Sequence, residues 1–245
     1  MIIKMIQDHS PVEHATSFIE YSFFEKELKI GSFYAKNPPL LPVNFSGEYK
    51  GINNYKIVLQ KNEECPEGYK SKMLVYITKE SDGTKKSIGK YTYNYYDSNN
   101  NLVGKLYYMM VFPPKKHFFD LLKGYEYQSL KFNDDIYDLY KVMLGSEGIY
   151  YCIYKNSELV AMIEKQLNVE DFMDNYIIYS LNNIDKDILC LIASHFDYSN
   201  YEEAMPRSDR NSTHYNAMKE FKKEILSKYD PTFKQKIIDM DKQTL

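Results

Sequence analysis

NIDKDILCLIASHFDY, residues 183–198, carries apolar side chains on every side of a helical wheel. Asn183 or Asp185 can cap a helix running to about Phe196, and Ile184, Ile188, Leu189, Cys190, Leu191, Ile192, Ala193 and Phe196 then leave no polar face. Such a helix must be surrounded. A dozen residues rise about 18 Å, short of the roughly 30 Å hydrocarbon core of a bilayer, so its surroundings are protein. Two arrangements meet the requirement: a sheet closed around the helix, or a helix held between a sheet and other helices.

The rest of the chain favours strands. Its 245 residues are 44% hydrophobic, enough for a sizeable core in one large domain or two small ones. Tyr occurs 25 times, Phe 13 times and Trp never, an aromatic bias that suits half-buried strands better than helix bundles. From Lys56 to Leu181 the apolar pattern has a period of two. Tyr91, Tyr93 and Tyr95 share one face of SIGKYTYNYY, and Leu102, Gly104, Leu106, Tyr108, Met110 and Phe112 share one face of LVGKLYYMMVF. Further strands are expected at KIVLQ, KMLVYIT, DLYKVML, IYYCIY, ELVAMIEKQL and NYIIYSL, separated by SDG, DSNNN, GSEG and KNSE turns. Strands so short and so regularly spaced suggest a sandwich or a barrel. YYDSNNNLVGKL and IYKNSELVAMI also look like one hairpin used twice.

The two ends read differently. Ser10, Pro11 and Glu13 open a helical capping pattern that Gly31 would close, although Tyr21, Phe23 and Phe24 fit a strand equally well. HFFDLLKG, residues 117–124, has the look of a single helical turn. Near the other end, Tyr215, Met218, Phe221, Ile225 and Tyr229 recur at helical spacing, and Asp230-Pro231 starts a last short helix through Phe233 and Ile237.

VAMIEKQL, DNYIIYSL and NIDKDILCLIASHFDY together resemble the carboxy-terminal part of the tubby-like superfamily, in its LURP-one-related and phospholipid-scramblase branch, as a bacterial-type member. Lys165 stands at the basic strand end, Asp174, Asn175 and Tyr176 at the second motif, and His195, Phe196, Asp197 and Tyr198 at the helix exit. YYDSNNNLVGKLYYM is similar to the matching hairpin of the first half. The resemblance spans about Lys56 to Tyr198. It implies a mainly β fold with added helices (α+β): a closed antiparallel barrel of twelve strands around one hydrophobic helix. Residues 1–200 would form the barrel domain with an N-terminal extension, and residues 201–245 a C-terminal helical tail packed on it.

Net charge of −3 and a pI near 6.0 argue against nucleic acid as the main partner. Asp8 and Pro11 interrupt the start where a secretory signal needs an apolar run, so a cytoplasmic protein, with peripheral membrane contact at most, is expected. Cys65, Cys152 and Cys190 lack metal-ligand spacing, and no cofactor, metal or catalytic residue is expected. DSNNN imitates the start of a calcium loop, but Leu102 replaces the required glycine and Tyr108 the bidentate glutamate. No GxSxG, HExxH or phosphate-loop motif occurs.

The resemblance implies phosphoinositide binding through basic residues or a link to lipid scrambling; this chain lacks a palmitoylation-type cysteine cluster. Lys85-Lys86 in a turn and Lys115-Lys116 after Pro113-Pro114 are the candidate contacts to an anionic lipid headgroup, each worth about 1 kcal/mol near a membrane surface. Such pairs are ordinarily solvated loop residues. The expected function is a non-catalytic module that binds a protein partner or an anionic membrane surface. The competing reading is an enzyme with a pocket at a barrel mouth.

Overall fold

The computed structural model describes residues 1–9, 18–36, 45–114, 124–166, 173–199 and 219–243. Its strands are β1 (Ile2–His9), β2 (Phe18–Glu25), β3 (Leu28–Lys36), β4 (Ser46–Lys50), β5 (Asn54–Lys61), β6 (Lys70–Ser71), β7 (Val75–Lys79), β8 (Lys85–Gly89), β9 (Tyr91–Tyr96), β10 (Leu102–Phe112), β11 (Tyr125–Phe132), β12 (Asp135–Met143), β13 (Ile149–Lys155), β14 (Glu158–Lys165) and β15 (Asn175–Ser180). The helices are α1 (Lys186–Ser199), α2 (Lys223–Leu226) and α3 (Phe233–Lys242).

Twelve of these strands form a closed antiparallel barrel in the order β11-β12-β13-β14-β15-β1-β2-β3-β4-β5-β9-β10, and the β10–β11 pairing shuts the ring. Closure leaves those strands without a free edge. The remaining three, β8-β7-β6, branch from the ring because β10 is long. Its first half, Leu102–Leu106, pairs with β9; its second half, Met109–Phe112, pairs with β8.

Every residue of α1 from Asp187 to Asp197 is buried. All twelve ring strands contribute to the apolar cluster that includes Ile188–Ala193 and Phe196, from Ile3 and Met5 of β1 to Tyr176 and Ile178 of β15. A second cluster lies on the opposite faces of β12–β15. There Tyr140, Val142, Tyr150, Cys152, Met162 and Tyr179 pack against Ile225, Phe233 and Ile237 of α2 and α3.

Two expectations are corrected. Residues 18–36 form the antiparallel hairpin β2–β3, with Tyr21, Phe23 and Phe33 fully buried, and no helix runs to Gly31. With β1 and β4 they complete the ring. The long helix expected through Tyr229 is reduced, among the described residues, to Lys223–Leu226. Before it the chain is extended: Lys219 bridges to Leu144, Glu220 N donates to Met143 O at 2.8 Å, and the Glu220 carboxylate accepts from Phe221 N and Lys222 N at 2.8 Å each. Strand pairing and that carboxylate outcompete helical propensity there. The turn expected at 117–124 falls almost wholly outside the described residues.

Candidate functional site

The two ends of α1 are fastened by buried aspartates, in different ways. At the start, Asp185 Oδ1 accepts from Asp187 N at 2.7 Å, the N-cap that the sequence offered. Asp187 then accepts from Tyr49 Oη at 2.8 Å, Ile52 N at 3.1 Å and Asn53 N at 2.7 Å, with Asn53 Nδ2 at 3.1 Å. A carboxylate near a helix N-terminus is electrostatically favoured, and four donors replace its water. Lys186 adds an ion pair to Glu25 of β2 at 2.5 Å.

At the other end, Asp197 accepts from Tyr21 Oη of β2 and Tyr176 Oη of β15. Burial first, and the Asp174 carboxylate second, push the Asp197 carboxyl up to about 7, against the two tyrosine hydrogen bonds and the Lys165 charge. Lys165 pairs with Asp174 at 2.7 Å, and its Nζ lies 5.4 Å from the Tyr176 ring centroid. Asp174 N donates to Gln7 Oε1 at 2.8 Å, and Gln7 N donates to Asp174 O at 3.0 Å. Phe196 stacks on Tyr151 of β13 at 3.9 Å, and His195 meets Tyr93 of β9 edge-on at 4.8 Å. Burial drives the His195 imidazolium down to about 3, so the ring is neutral. Residues singled out separately in sequence, namely Lys165, Asp174, Tyr176, His195, Phe196 and Asp197, thus converge on one end of the barrel. The Asp197 hydrogen bonds fasten the helix exit to β2 and β15, and the Phe196 stack adds β13.

Beside this network a cavity of about 200 Å3 is lined by Tyr108, Gln128, Leu139, Lys141, Phe196 and Glu220, among others. Lys141 was not anticipated as a site residue. Its neighbours Tyr137 and Leu139 at alternate positions join the cluster around α1, while Tyr140 and Val142 face the other way, so Lys141 is a lysine on the apolar, inward side of β12. That misplaced charge in DLYKVML is the signal that sequence reading passed over. Burial, aided by Lys165 and opposed by Glu126, lowers the Lys141 ammonium to about 8.

The expected lipid contacts lie elsewhere. Lys85 and Lys86 are at the start of β8 in the three-stranded branch. Lys85 is exposed, whereas Lys86 pairs with Glu80 at 2.5 Å. Lys115 and Lys116 lie outside the described residues. At the opposite end of β7–β8, four residues or about 14 Å of strand away, the β6–β7 turn closes with Lys72 N donating to Val75 O at 2.8 Å. Its tip presents Met73, 85% exposed, and Leu74, 59% exposed. Lys70 and Lys72 flank the tip and are exposed; Lys90 donates to Ser71 Oγ at 2.8 Å while lying 5.0 Å from the Tyr76 ring. An apolar tip of this kind was not foreseen, because a strand reading of KMLVYIT places Met73 and Leu74 inside an element.

Asp97 accounts for the calcium-like loop. Its carboxylate accepts from Asn99 N, Asn101 N and Asn101 Nδ2 at 2.8–3.0 Å, which is an Asx turn closing the β9–β10 hairpin. Among the described residues no helix is long and apolar enough to cross a membrane, and no cluster of three or more His, Cys, Asp or Glu is arranged to hold a metal. In comparisons with known proteins, the chain matches no family model, no curated protein and no solved structure.

Proposed function

We infer that this chain is a tubby-like binding module, its barrel filled by α1, that docks on anionic phospholipid surfaces through the β6–β8 branch. The burial of α1 from Asp187 to Asp197, in a cluster fed by all twelve ring strands, supports the filled barrel. The observation that carries the lipid reading is the Met73–Leu74 tip with Lys70, Lys72 and Lys90 around it. Water-exposed Met and Leu side by side at a turn are unfavourable in solution, and insertion below a headgroup layer removes that cost. Lysines at the rim then meet anionic headgroups.

Partial insertion of the two side chains is worth roughly 3 kcal/mol and three lysines about 1 kcal/mol each, giving roughly 6 kcal/mol. That corresponds to weak, reversible association on the order of tens of micromolar. The three strands leave the ring at β10, so the contact does not strain the barrel. Lys85 and Lys86, about 14 Å from the tip, would take a secondary part.

Co-sedimentation with phosphatidylcholine vesicles, with and without phosphatidylserine, tests the reading at low and at physiological salt. Wild type is expected to bind the anionic vesicles, more weakly as salt rises. Met73→Glu with Leu74→Glu should abolish binding, Lys70→Glu with Lys72→Glu should weaken it strongly, and Lys85→Glu with Lys86→Glu should weaken it mildly. Absence of wild-type binding at low salt overturns the lipid reading and leaves a protein partner as the occupant of the tip.

A further inference from the structure

We propose that a groove on the outer face of β1 and β2, beside α3, binds single-chain amphiphiles carrying one negative charge, of the long-chain carboxylate class. The groove has a volume of about 490 Å3, within the roughly 300–1,000 Å3 of small-molecule sites. Its floor follows from strand alternation. Ile3, Met5 and Phe23 belong to the cluster around α1, which turns Ile2, Lys4, Ile6 and Phe24 outward to line the groove. Ile2, Ile6 and Phe24 are half-buried there, a continuous apolar surface on two paired strands. Lys26 and Glu27, in the β2–β3 turn, close one end, and α3 contributes Asp241 from the side.

The charges name the occupant. Lys4 stands directly opposite Phe24, and Lys26 lies two residues beyond Phe24, so the two lysines are diagonal neighbours whose stems start about 7–8 Å apart. Their flexible four-carbon stems let both ammonium groups meet on one head. Both lysines are exposed, and among the described residues neither takes part in an ion pair. Asp241 faces the Met1 ammonium at 3.9 Å, so Glu27 alone is set against the two lysines and the groove keeps one surplus positive charge. A carboxylate held by Lys26 and Lys4 neutralises it. The chain then runs over Phe24 towards Ile6; from Ile2 to Ile6 the strand rises about 14 Å, the extended length of a chain of about twelve carbons. None of these residues belongs to the β6–β7 tip, so the groove stands or falls separately from the membrane reading.

Isothermal titration with sodium dodecanoate, below its micellar range, reads the site directly, and one saturable site is expected. Each half-buried methylene is worth about two-fold in affinity, so decanoate should bind about 4-fold and octanoate about 16-fold more weakly. Dodecyltrimethylammonium, with the same chain and the opposite charge, should bind at least about 10-fold more weakly than dodecanoate. Lys4→Gln with Lys26→Gln should weaken dodecanoate about 10-fold while melting like wild type, and Glu27→Gln should tighten it by about two-fold or more. Met73→Glu with Leu74→Glu should bind dodecanoate as wild type does, whatever it does with vesicles. The proposal is overturned if dodecanoate shows no saturable binding, if the cationic amphiphile binds equally well, if the double lysine variant keeps wild-type affinity, or if the tip variant loses dodecanoate.

Discussion

His195 and Asp197, two residues apart on α1, should make the unfolding free energy respond to pH in opposite directions, and replacing either exposes the other. Asp197 is pushed up to about 7 in the fold, against about 3.9 for an unfolded aspartate. Between those values the folded state holds a proton that the unfolded chain has lost. The Asp197 contribution is therefore complete at low pH and is lost as pH rises towards 7. His195 is driven down to about 3, against about 6.5 unfolded, so the unfolded chain holds the extra proton and the contribution, complete above 6.5, is lost as pH falls. Each slope is about 1.4 kcal/mol per pH unit, and across pH 4.5 to 6.0 they cancel. Over that interval His195→Gln should lose roughly 2 kcal/mol relative to wild type, and Asp197→Asn should gain roughly 2 kcal/mol. Both substitutions lower stability outright, so the change with pH is the quantity to compare. Urea unfolding followed by far-ultraviolet circular dichroism and tyrosine fluorescence suits a chain with 25 Tyr and no Trp. If both variants track the wild-type pH slope, the reasoning about these two buried groups is wrong.

Leu191→Lys should leave no cooperatively folded protein, since Leu191 is 1% exposed within the apolar cluster and an unpartnered ammonium there costs several kcal/mol; a soluble, cooperatively melting variant would refute this. Gly51→Ala should cost roughly 2–3 kcal/mol in urea titrations, because its Cβ would lie 2.4 Å from both Asp187 Oδ1 and Tyr49 Oη, where the N-terminal fastening of α1 has no slack. Lys26→Asn with Glu27→Gly should raise the melting temperature, by about 1 kcal/mol of stability, since both turn residues have positive φ, 48° and 67°, in the two-residue β2–β3 hairpin.

That same hairpin shows why the amino-terminal region misreads. Lys26-Glu27 occupies a turn that ordinarily calls for Asn-Gly, so FFEKELKIG carries no turn signal, and the Ser10-Pro11 capping pattern then suggests a helix across it. Asn156-Ser157, also at positive φ, makes the equivalent turn legible between β13 and β14. The alternation in Leu102–Phe112 gave β10 directly, because one of its faces meets the core and register there is set by burial. The apolar wheel of residues 184–196 announced a surrounded helix for the same reason. Partners far apart in sequence were not legible: nothing near HFDY announces that Tyr21 reaches Asp197, a contact made by ring closure. The Lys141 cavity depends on which face of β12 looks inward, and the Met73–Leu74 tip on where β6 stops. Both are properties of the assembled sheet.

The depth of the β6–β7 tip in a bilayer tests the central claim most directly. Cys65 is exposed while Cys152 and Cys190 are buried, so a Cys65→Ser background carrying Met73→Cys or Asp82→Cys accepts a single spin label at either end of the branch. With phosphatidylserine-containing vesicles, the label at position 73 should become accessible to oxygen and shielded from aqueous relaxants, while the label at position 82 stays in water. Equal aqueous exposure of both labels, under conditions where the protein sediments with the vesicles, would contradict insertion of the tip.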